Sequence, residues 1–181
     1  SGMTPDDVLT FWLGPAGGDP FANASRWWTK DPALDAEITA RFGATLESAT
    51  RGELDAWASA APSAAALVIV LDQFSRNIHR DTPRAFAQDP VALVLAQELV
   101  AAGQDTALPL AQRRFVYMPY MHSESLAVHD QALRLFAEAG LEDALRYEHQ
   151  HRAIIERFGR YPHRNAVLGR VSTPDERAFL S

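Results

Sequence analysis

The sequence predicts an all-α protein that forms one compact domain. Two observations support this prediction. Helix-start signals recur, each a capping residue followed by proline, at positions 4–5, 31–32, 89–90 and 173–174. No run of alternating apolar and polar residues is bounded by hairpin turns, which argues against a β-sheet. With 181 residues, the chain is long enough to bury one sizeable core.

The N-terminal signals predict a short helix, a loop and a longer helix. Thr4 caps the first helix and Gly14 ends it. Residues 14–30 have the composition of a loop, and its aromatic residues Phe21, Trp27 and Trp28 are expected to pin it to the body. The second helix opens at Asp31-Pro32 and runs towards Arg51 and the stop at Gly52.

A third helix is predicted from Pro62 over the segment SAAALVIVLDQFSRN. Its β-branched centre would also suit a strand. Helical spacing decides the question, because Leu67, Leu71, Phe74 and Ile78 follow steps of four, three and four residues. Asp72 and Arg76 then fall on a second stripe, rotated about 100° from the apolar one.

The later helices carry three signals of tertiary placement. The helix from Asp89 to Gly103 is apolar nearly all round, so we expect it to be central and buried. Pro119 is expected to open a helix or kink one, which would put residues 122–124 near a helix start. In the helix over 141–158, Glu148 and His151 interrupt the apolar stripe and must find partners.

Composition limits the class of protein. Hydrophobic residues make up 47% and charged residues 22%, as in globular proteins, and there is no cysteine. A net charge of −6 argues against nucleic acid or an anionic membrane surface as a partner. The longest apolar run, Ala64 to Leu71, is too short to span a membrane. Ser1-Gly2 before Met3 is typical of a tag remnant and no signal peptide follows, so we expect a cytoplasmic domain over residues 3–181.

The segment from Glu156 to Glu176 is expected to form half of a polar pocket. Gly159, Pro162 and Gly169 interrupt it, so the backbone must turn there. Its side chains supply directional donors rather than mere solubility: Arg157, Arg160, His163, Arg164, Asn165 and Arg170.

We predict that three clusters meet in this pocket, because each follows an apolar helix face that must dock. The clusters are Asp72–Arg76–Asn77, His122–Glu124 and Arg160–His163–Arg164–Asn165. His151 is expected to be buried beside them and bonded to a carboxylate, Glu124 or Asp72. Since Asp72 and Glu124 are too few to pair Arg76, Arg160 and Arg164, an anion should be able to enter.

Several long motifs resemble those of a known family. They are LDQFSRNIHR (71–80), AFAQDP (85–90), RRFVYMPYMHSE (113–124) and HRAIIERFGRYPHRNAVLGRVST (151–173), together with FWLG and the Trp27-Trp28 pair. The chain resembles the bacterial "domain of unknown function 924" family, except that Ser75 stands where the family motif commonly has proline. The resemblance implies a tetratricopeptide-like fold, with antiparallel helix pairs stacked into a right-handed superhelix. It implies no activity, and no 34-residue repeat is visible in the sequence itself.

Two functions of different kinds fit these residues. The first is a scaffold whose pocket, built from the three clusters and His151, binds a small anionic ligand or an acidic peptide end. The alternative is a hydrolase-like enzyme acting on a phosphorylated or carboxylate-bearing small molecule. In it, His122 or His151 is the general base, Glu124 or Glu148 orients that base, and Arg160 and Arg164 clamp the substrate. A purely structural role, in which the arginines pair with acids and cap helices, is the third interpretation.

A metal or cofactor site is not expected. Glu148 and His151 form one Glu-x-x-His motif, whereas a di-iron bundle contains two. A mononuclear site from His122, Glu124, His151 and His163 would lack the usual zinc-site spacing. No P-loop or dinucleotide-binding motif is present, and the sequence does not specify an oligomeric state.

Overall fold

Helices joined by short turns account for the ordered secondary structure of residues 2–181, which a computed structural model describes. No strand occurs within this range. The all-α prediction is therefore confirmed. The α-helices are α1 (Pro5–Leu13), α2 (Ala24–Trp28), α3 (Pro32–Thr50), α4 (Ala61–Ile69), α5 (Ser75–Ile78), α6 (Asp89–Ala101), α7 (Leu110–His122), α8 (Leu126–Leu135), α9 (Glu142–Phe158), α10 (Asn165–Leu168) and α11 (Pro174–Leu180).

Three of the four predicted capping residues, Thr4, Asp31 and Thr173, cap their helices, whereas Asp89 is the first residue of α6 and makes no capping bond. At α1, the Thr4 hydroxyl accepts from the Asp7 amide, and the Thr4 amide donates to the Asp7 carboxylate. The same reciprocal capping box joins Thr173 and Glu176 at α11. Each box satisfies two backbone donors that would otherwise lack partners.

The core is built around α4. Its residues from Ala64 onwards are fully buried, and it packs against α1, α6 and α7. Aromatic rings connect α1 with α7 and with the segment that follows α4. The ring centroid of Trp12 lies 5.6 Å from that of Phe74 and 5.8 Å from that of Phe115. One continuous apolar cluster results, so the helices form a single domain.

The helix predicted over 62–77 is present, but it contains a π-helical turn. Five buried residues, Val70 to Phe74, form this turn between α4 and α5. A π turn accommodates one extra residue and is often found at functional sites. It carries Asp72 in its middle, so the turn sets where this carboxylate points.

The loop predicted over 14–30 contains the short helix α2. Trp27 is buried there, and its indole nitrogen donates to the Trp12 carbonyl at 2.9 Å, as expected for an anchor. Trp28 and Phe21 remain about half exposed, 51% and 50%, but both contact α7, since Trp28 stacks on Phe115 and Arg114 lies over the Phe21 ring. The three aromatic residues thus hold the loop against the body, as expected.

The prediction that α6 is central was wrong. Ala92, Ala96 and Leu99 are buried against α4 and α7, whereas Val91 and Val94 are about half exposed. An apolar sequence all round a helix does not state which of its faces finds a partner. The outer face of α6 is left to solvent.

The chain does not divide into two helices at Pro119, so a helix start at this residue was a wrong prediction. Helix α7 continues through Pro119 and ends at His122, and α8 begins after Ser125. His122 is therefore the last residue of a helix, and Glu124 lies in the turn after it, instead of both occupying a first turn. No helix in the described residues is both long and apolar enough to cross a membrane.

Candidate functional site

Asp72 is the most enclosed acid of the predicted clusters, and three side chains hold it. Its carboxylate, fully buried in the π turn, accepts from Gln73 Nε2 at 2.7 Å and binds His122 Nδ1 at 2.7 Å. Arg76 Nη1 adds a longer contact of 3.3 Å. Burial alone would raise the pKa of Asp72, but the interactions with His122, the Arg76 charge and the hydrogen bond from Gln73 outweigh it and lower the pKa.

His122 is oriented by Asp72 and has one nitrogen to spare. Burial and the Arg76 guanidinium lower its pKa, despite the neighbouring Asp72 carboxylate. At neutral pH the imidazole is therefore uncharged, with the Nδ1 proton donated to Asp72. Nε2 makes no hydrogen bond among the described residues. It is not fully buried, so a ligand can reach it. This nitrogen can accept a proton or a hydrogen bond from a ligand.

Arg76 connects this pair to α6. Its terminal nitrogens donate to both Asp89 oxygens, at 2.8 and 3.0 Å, and Nη1 also donates to the Asp72 carbonyl. Asp89 was missing from the predicted site, although it lies in the AFAQDP motif. It was left out because its position before Pro90 had been explained as a helix-start signal.

A cavity of about 420 Å³ lies beside Asp72 and His122, and we call it the aromatic cavity. Its apolar walls are Trp27, Trp28, Met118, Met121, Ala144 and Tyr147. Its polar lining is Gln73, Arg76, Arg114, His122 and His151. Arg114, which sequence reasoning missed, is 2% exposed and forms a bidentate pair with Asp143 at 2.8 and 3.1 Å.

His151 lines this cavity but does not bond to a carboxylate, so that prediction was wrong. Its Nδ1 donates instead to the Tyr147 carbonyl, one helical turn back, at 2.7 Å. Burial lowers the pKa of His151 to about 4. The ring is therefore neutral at physiological pH, and its Nε2 is an acceptor.

Glu148 has a hydrogen-bond partner, as its place on an apolar stripe predicted, and this partner is His129. Both side chains are fully buried, and His129 Nδ1 lies 2.6 Å from the Glu148 carboxylate. The other ring nitrogen donates to the Ser123 carbonyl at 2.7 Å and lies 3.1 Å from the Tyr161 hydroxyl. Burial raises the pKa of Glu148. Neither Glu148 nor Glu124 orients His122 or His151, contrary to the sequence-based scheme.

Both carboxylate oxygens of Glu124 are bonded to residues of the segment after α9. Arg170 grips it with two nitrogens, at 2.9 and 3.1 Å, and the Tyr161 amide donates to it at 2.6 Å. The carboxylate thus holds the turn between α9 and α10 against the end of α7. Burial would raise the pKa of Glu124, but these donors lower it.

A second cavity, of about 340 Å³, lies on the α6 side of His122, and we call it the Phe86 cavity. Its lining is largely apolar, with Phe86, Leu93, Pro119 and Leu168 among the residues, and its polar members are Asp89, His122, Ser123, Glu124 and Arg164. Arg164 donates to the His122 carbonyl at 2.9 Å. His122 lines both cavities and stands between them.

The structure thus brings together part of the predicted constellation. Around His122 lie Asp72, Arg76, Glu124 and Arg164, with His151 across the aromatic cavity.

Four predicted residues are directed elsewhere. Asn77 donates to Asp35 on α3 at 2.9 Å. Arg160 binds Glu176 on α11 at 2.7 and 2.8 Å. Asn165 binds Ser172 and Arg170, and His163 is exposed over the Tyr161 ring. Their expected place in the pocket was therefore wrong.

The predicted surplus of arginine is also smaller than expected. Asp89, Asp143 and Glu176 pair with Arg76, Arg114 and Arg160, and Glu124 pairs with Arg170. Asp89, Asp143 and Glu176 were not counted because they are distant in sequence from the arginines they meet. Arg164 is the exception, since its nearest carboxylate oxygen, on Asp89, is 3.7 Å away.

No group of three or more His, Asp or Glu side chains in residues 2–181 is arranged to hold a metal ion. The chemistry that the arrangement offers is that of an oriented, neutral imidazole in a cavity. Such a group can bind a ligand hydrogen or act as a general base.

These features define an all-α protein with a buried Asp–His pair between two cavities. The sequence model of a family described as "Bacterial protein of unknown function (DUF924)" matches residues 8–181. The chain belongs to this family. It is also similar to the solved structure of a protein of unknown function, ATU0120 from Agrobacterium tumefaciens, with 38% identity and a TM-score of 0.88 over 98% of this chain and 96% of that one. The comparison with curated proteins gave no match.

Proposed function

We propose that the aromatic cavity binds a small organic anion, with a ring-containing apolar body and an acidic head group. The observation that carries this proposal is the charge of the lining. Arg76 and Arg114 are its charged members, and within the described chain no Asp or Glu lines this cavity. Their partners Asp89 and Asp143 lie outside the lining, so an acidic head group would meet two positive charges and no carboxylate.

The walls support a ring-containing body. Trp28 and Tyr147 are each 51% exposed, and their ring centroids are 6.4 Å apart with an interplanar angle of 31°. Half-exposed aromatic rings beside a cavity offer faces for stacking. Met118 and Met121 provide unbranched, adaptable surface deeper in the cavity. A volume of about 420 Å³ suits a small metabolite and is too small for a folded partner.

A thermal-shift comparison of three probes tests the proposal. Phenylacetate carries both features, phenylacetamide keeps the ring without the charge, and acetate keeps the charge without the ring. We expect phenylacetate to raise the Tm most. At about one hundred times its Kd, a ligand stabilises the native state by about 2.7 kcal/mol, which corresponds to roughly 5–10 °C for a domain of this size.

Two neighbouring arginines of α7 supply the matched variants. Arg114→Met removes a cavity charge and leaves the partly exposed Asp143 hydrated, so the phenylacetate shift should fall to that of phenylacetamide. Arg113→Met is the control, because Arg113 binds the Thr106 and Leu108 carbonyls and does not line the cavity. Equal shifts with all three probes, or equal loss in both variants, would contradict the proposal.

A hydrolase-like activity is the second candidate, favoured by the Asp72–His122 pair. His122 Nε2 would take a proton from water, whose oxygen attacks the carbonyl carbon or phosphorus of an ester. The bond to the leaving oxygen breaks, and the same proton returns to that oxygen. Asp72 would hold the tautomer and stabilise the transient imidazolium.

Release of nitrophenolate from p-nitrophenyl esters of phosphoric and succinic acid tests this candidate. We expect His122→Asn to lower the rate by about 100-fold or more and Asp72→Asn to lower it clearly, with His149→Asn, an exposed site on α9, as the control. Hydrolysis that is absent, or equal in all variants, would remove the activity and leave the binding proposal standing.

A further inference from the structure

Arg164 is a buried guanidinium with few partners. Its side chain is 8% exposed, yet of its five N–H donors only one on Nη2 has a direct hydrogen bond, to the His122 carbonyl. Nε is sealed from solvent without a partner. Nη1 is beyond hydrogen-bond distance of Asp89, at 3.7 Å, and is not among the sealed atoms. A buried charge with so few hydrogen bonds is costly.

Two aromatic rings lie against this guanidinium. Its central carbon lies 4.6 Å from the Phe86 centroid and 4.7 Å from the Tyr161 centroid. Both rings are within cation–π distance but accept no hydrogen bond from Arg164, so they do not satisfy the remaining N–H donors. Arg164 belongs to the lining of the Phe86 cavity, and its Nη1 is not sealed from solvent.

The carboxylates of the Phe86 cavity already have their own counter-ions. Asp89 is bound by both terminal nitrogens of Arg76, and Glu124 by both terminal nitrogens of Arg170. Arg164 is thus the cation of this cavity without a hydrogen-bonded carboxylate among the described residues. Burial and the nearby Arg76 lower the pKa of Arg164, which is a further sign that its charge is poorly compensated.

We infer that the Phe86 cavity is a second ligand site, in which the guanidinium of Arg164, through Nη1, binds an oxyanion, the carboxylate or phosphate group of a small molecule. Ser123 lines the same cavity and can donate its hydroxyl proton to the bound group. The apolar remainder, with Phe86 and Leu93, takes the body of the ligand. This site lies across His122 from the aromatic cavity and does not depend on the function proposed for that cavity.

Ring-free oxyanions test the inference on the intact chain. Sodium phosphate and sodium acetate are compared with sodium chloride at constant ionic strength, by thermal unfolding and by titration calorimetry. We expect at least one oxyanion to stabilise the wild type. Arg164→Met should weaken its Kd by about tenfold or more, the loss of one charge-assisted contact, whereas Arg51→Met should not. Arg51 is a matched control because it forms an exposed ion pair with Glu53 on the surface.

Stability in chloride separates binding from a structural role. Methionine has a similar length and can keep the contacts with Phe86 and Tyr161, while the poorly paired charge disappears. We therefore expect Arg164→Met to be at least as stable as the wild type in chloride and to lose only the oxyanion effect. Should Arg164→Met fail to fold, Arg164→Lys keeps the charge without the planar fork and should bind several-fold more weakly.

Two results would overturn the inference: no stabilisation of the wild type by either oxyanion, or the same stabilisation in wild type and Arg164 variants. Arg114→Met identifies anions that bind in the aromatic cavity instead, since it should leave the Arg164 site unchanged. Stabilisation by phosphate alone would indicate a phosphate ligand, and stabilisation by acetate, alone or together with phosphate, would indicate that the site accepts a carboxylate.

Discussion

Four histidines in and near the site have four different environments. His122 is oriented by a buried carboxylate, His129 is locked between Glu148 and a carbonyl, and His151 bonds only to its own helix. His163 is exposed. The type of residue was therefore a poor guide to its role, because the partner decides whether an imidazole is a base, a structural link or a bystander.

His151 gives a prediction for the pH dependence of stability. Its pKa in the folded chain is lowered to about 4, so the unfolded chain binds a proton first as the pH falls below about 6.5. The stability that the neutral ring supports is fully present above pH 6.5 and is lost as the pH falls towards 4. The loss should be about 1–3 kcal/mol, since the ring is only partly enclosed.

Urea unfolding between pH 7 and pH 4 measures this effect. His151→Asn retains a side-chain donor near the Tyr147 carbonyl but cannot be protonated, so its stability should fall less over this range than that of the wild type. His149→Asn, exposed on the same helix, has the same cost in helix propensity and should keep the wild-type slope. Identical slopes for the wild type and His151→Asn would show that His151 is not the group responsible.

The sequence predicted which clusters of residues approach one another, but not which residues pair. Asp72 and His122 were assigned to the same pocket, yet their direct bond spans fifty residues of sequence. Docking of apolar faces brings clusters together, but it does not specify which acid meets which base. Arg160 shows this limit, because its partner Glu176 also belongs to the capping box of α11 and was not expected to be a counter-ion.

At the scale of elements, local chemistry predicted the helix starts well. Capping boxes at Thr4 and Thr173 and the cap at Asp31 depend on residues within one turn, so the sequence contains the whole interaction. The π turn and the outward face of α6 were not predictable in this way. Both depend on what packs against the helix from outside, which a single segment does not record.

Helix α11 gives a prediction at this scale. Thr173 accepts from the Glu176 amide at 3.1 Å, and Thr173→Ala removes that acceptor. The loss should cost about 1 kcal/mol of local stability. Hydrogen exchange at the amides of Glu176 and Arg177 should become about fivefold faster, while amides of α4 stay protected. Thr50→Ala, which removes a side-chain bond at the end of α3, is the control and should leave α11 unchanged. Unchanged exchange at α11 in Thr173→Ala would contradict the capping role.

At the scale of the whole molecule, the helices share one core. The apolar cluster runs from Val8 on α1 to Ala144 on α9 without division into separate parts. The segment after α9 is joined to it largely by polar contacts, through Tyr161, Glu124 and Arg170. The tetratricopeptide-like superhelix implied by the family resemblance stays a prediction.

A shared core predicts a single cooperative unfolding transition. Far-UV circular dichroism, which follows the helices, and the fluorescence of the buried Trp12 and Trp27 should give the same urea midpoint. Two separated midpoints would show that part of the helical structure is stable without the aromatic core.

The π turn has a consequence for chain length. Each residue added to or taken from an α-helix rotates everything beyond it by about 100°. Shortening the Val70–Phe74 turn by one residue would make it α-helical and rotate α5, which would direct Arg76 away from Asp89 and Asn77 away from Asp35. Related chains should therefore accept exchanges of one side chain for another in this stretch more readily than a single-residue insertion or deletion. An alignment of homologues with frequent one-residue gaps between positions 69 and 75 would argue that the phase of α5 is not required.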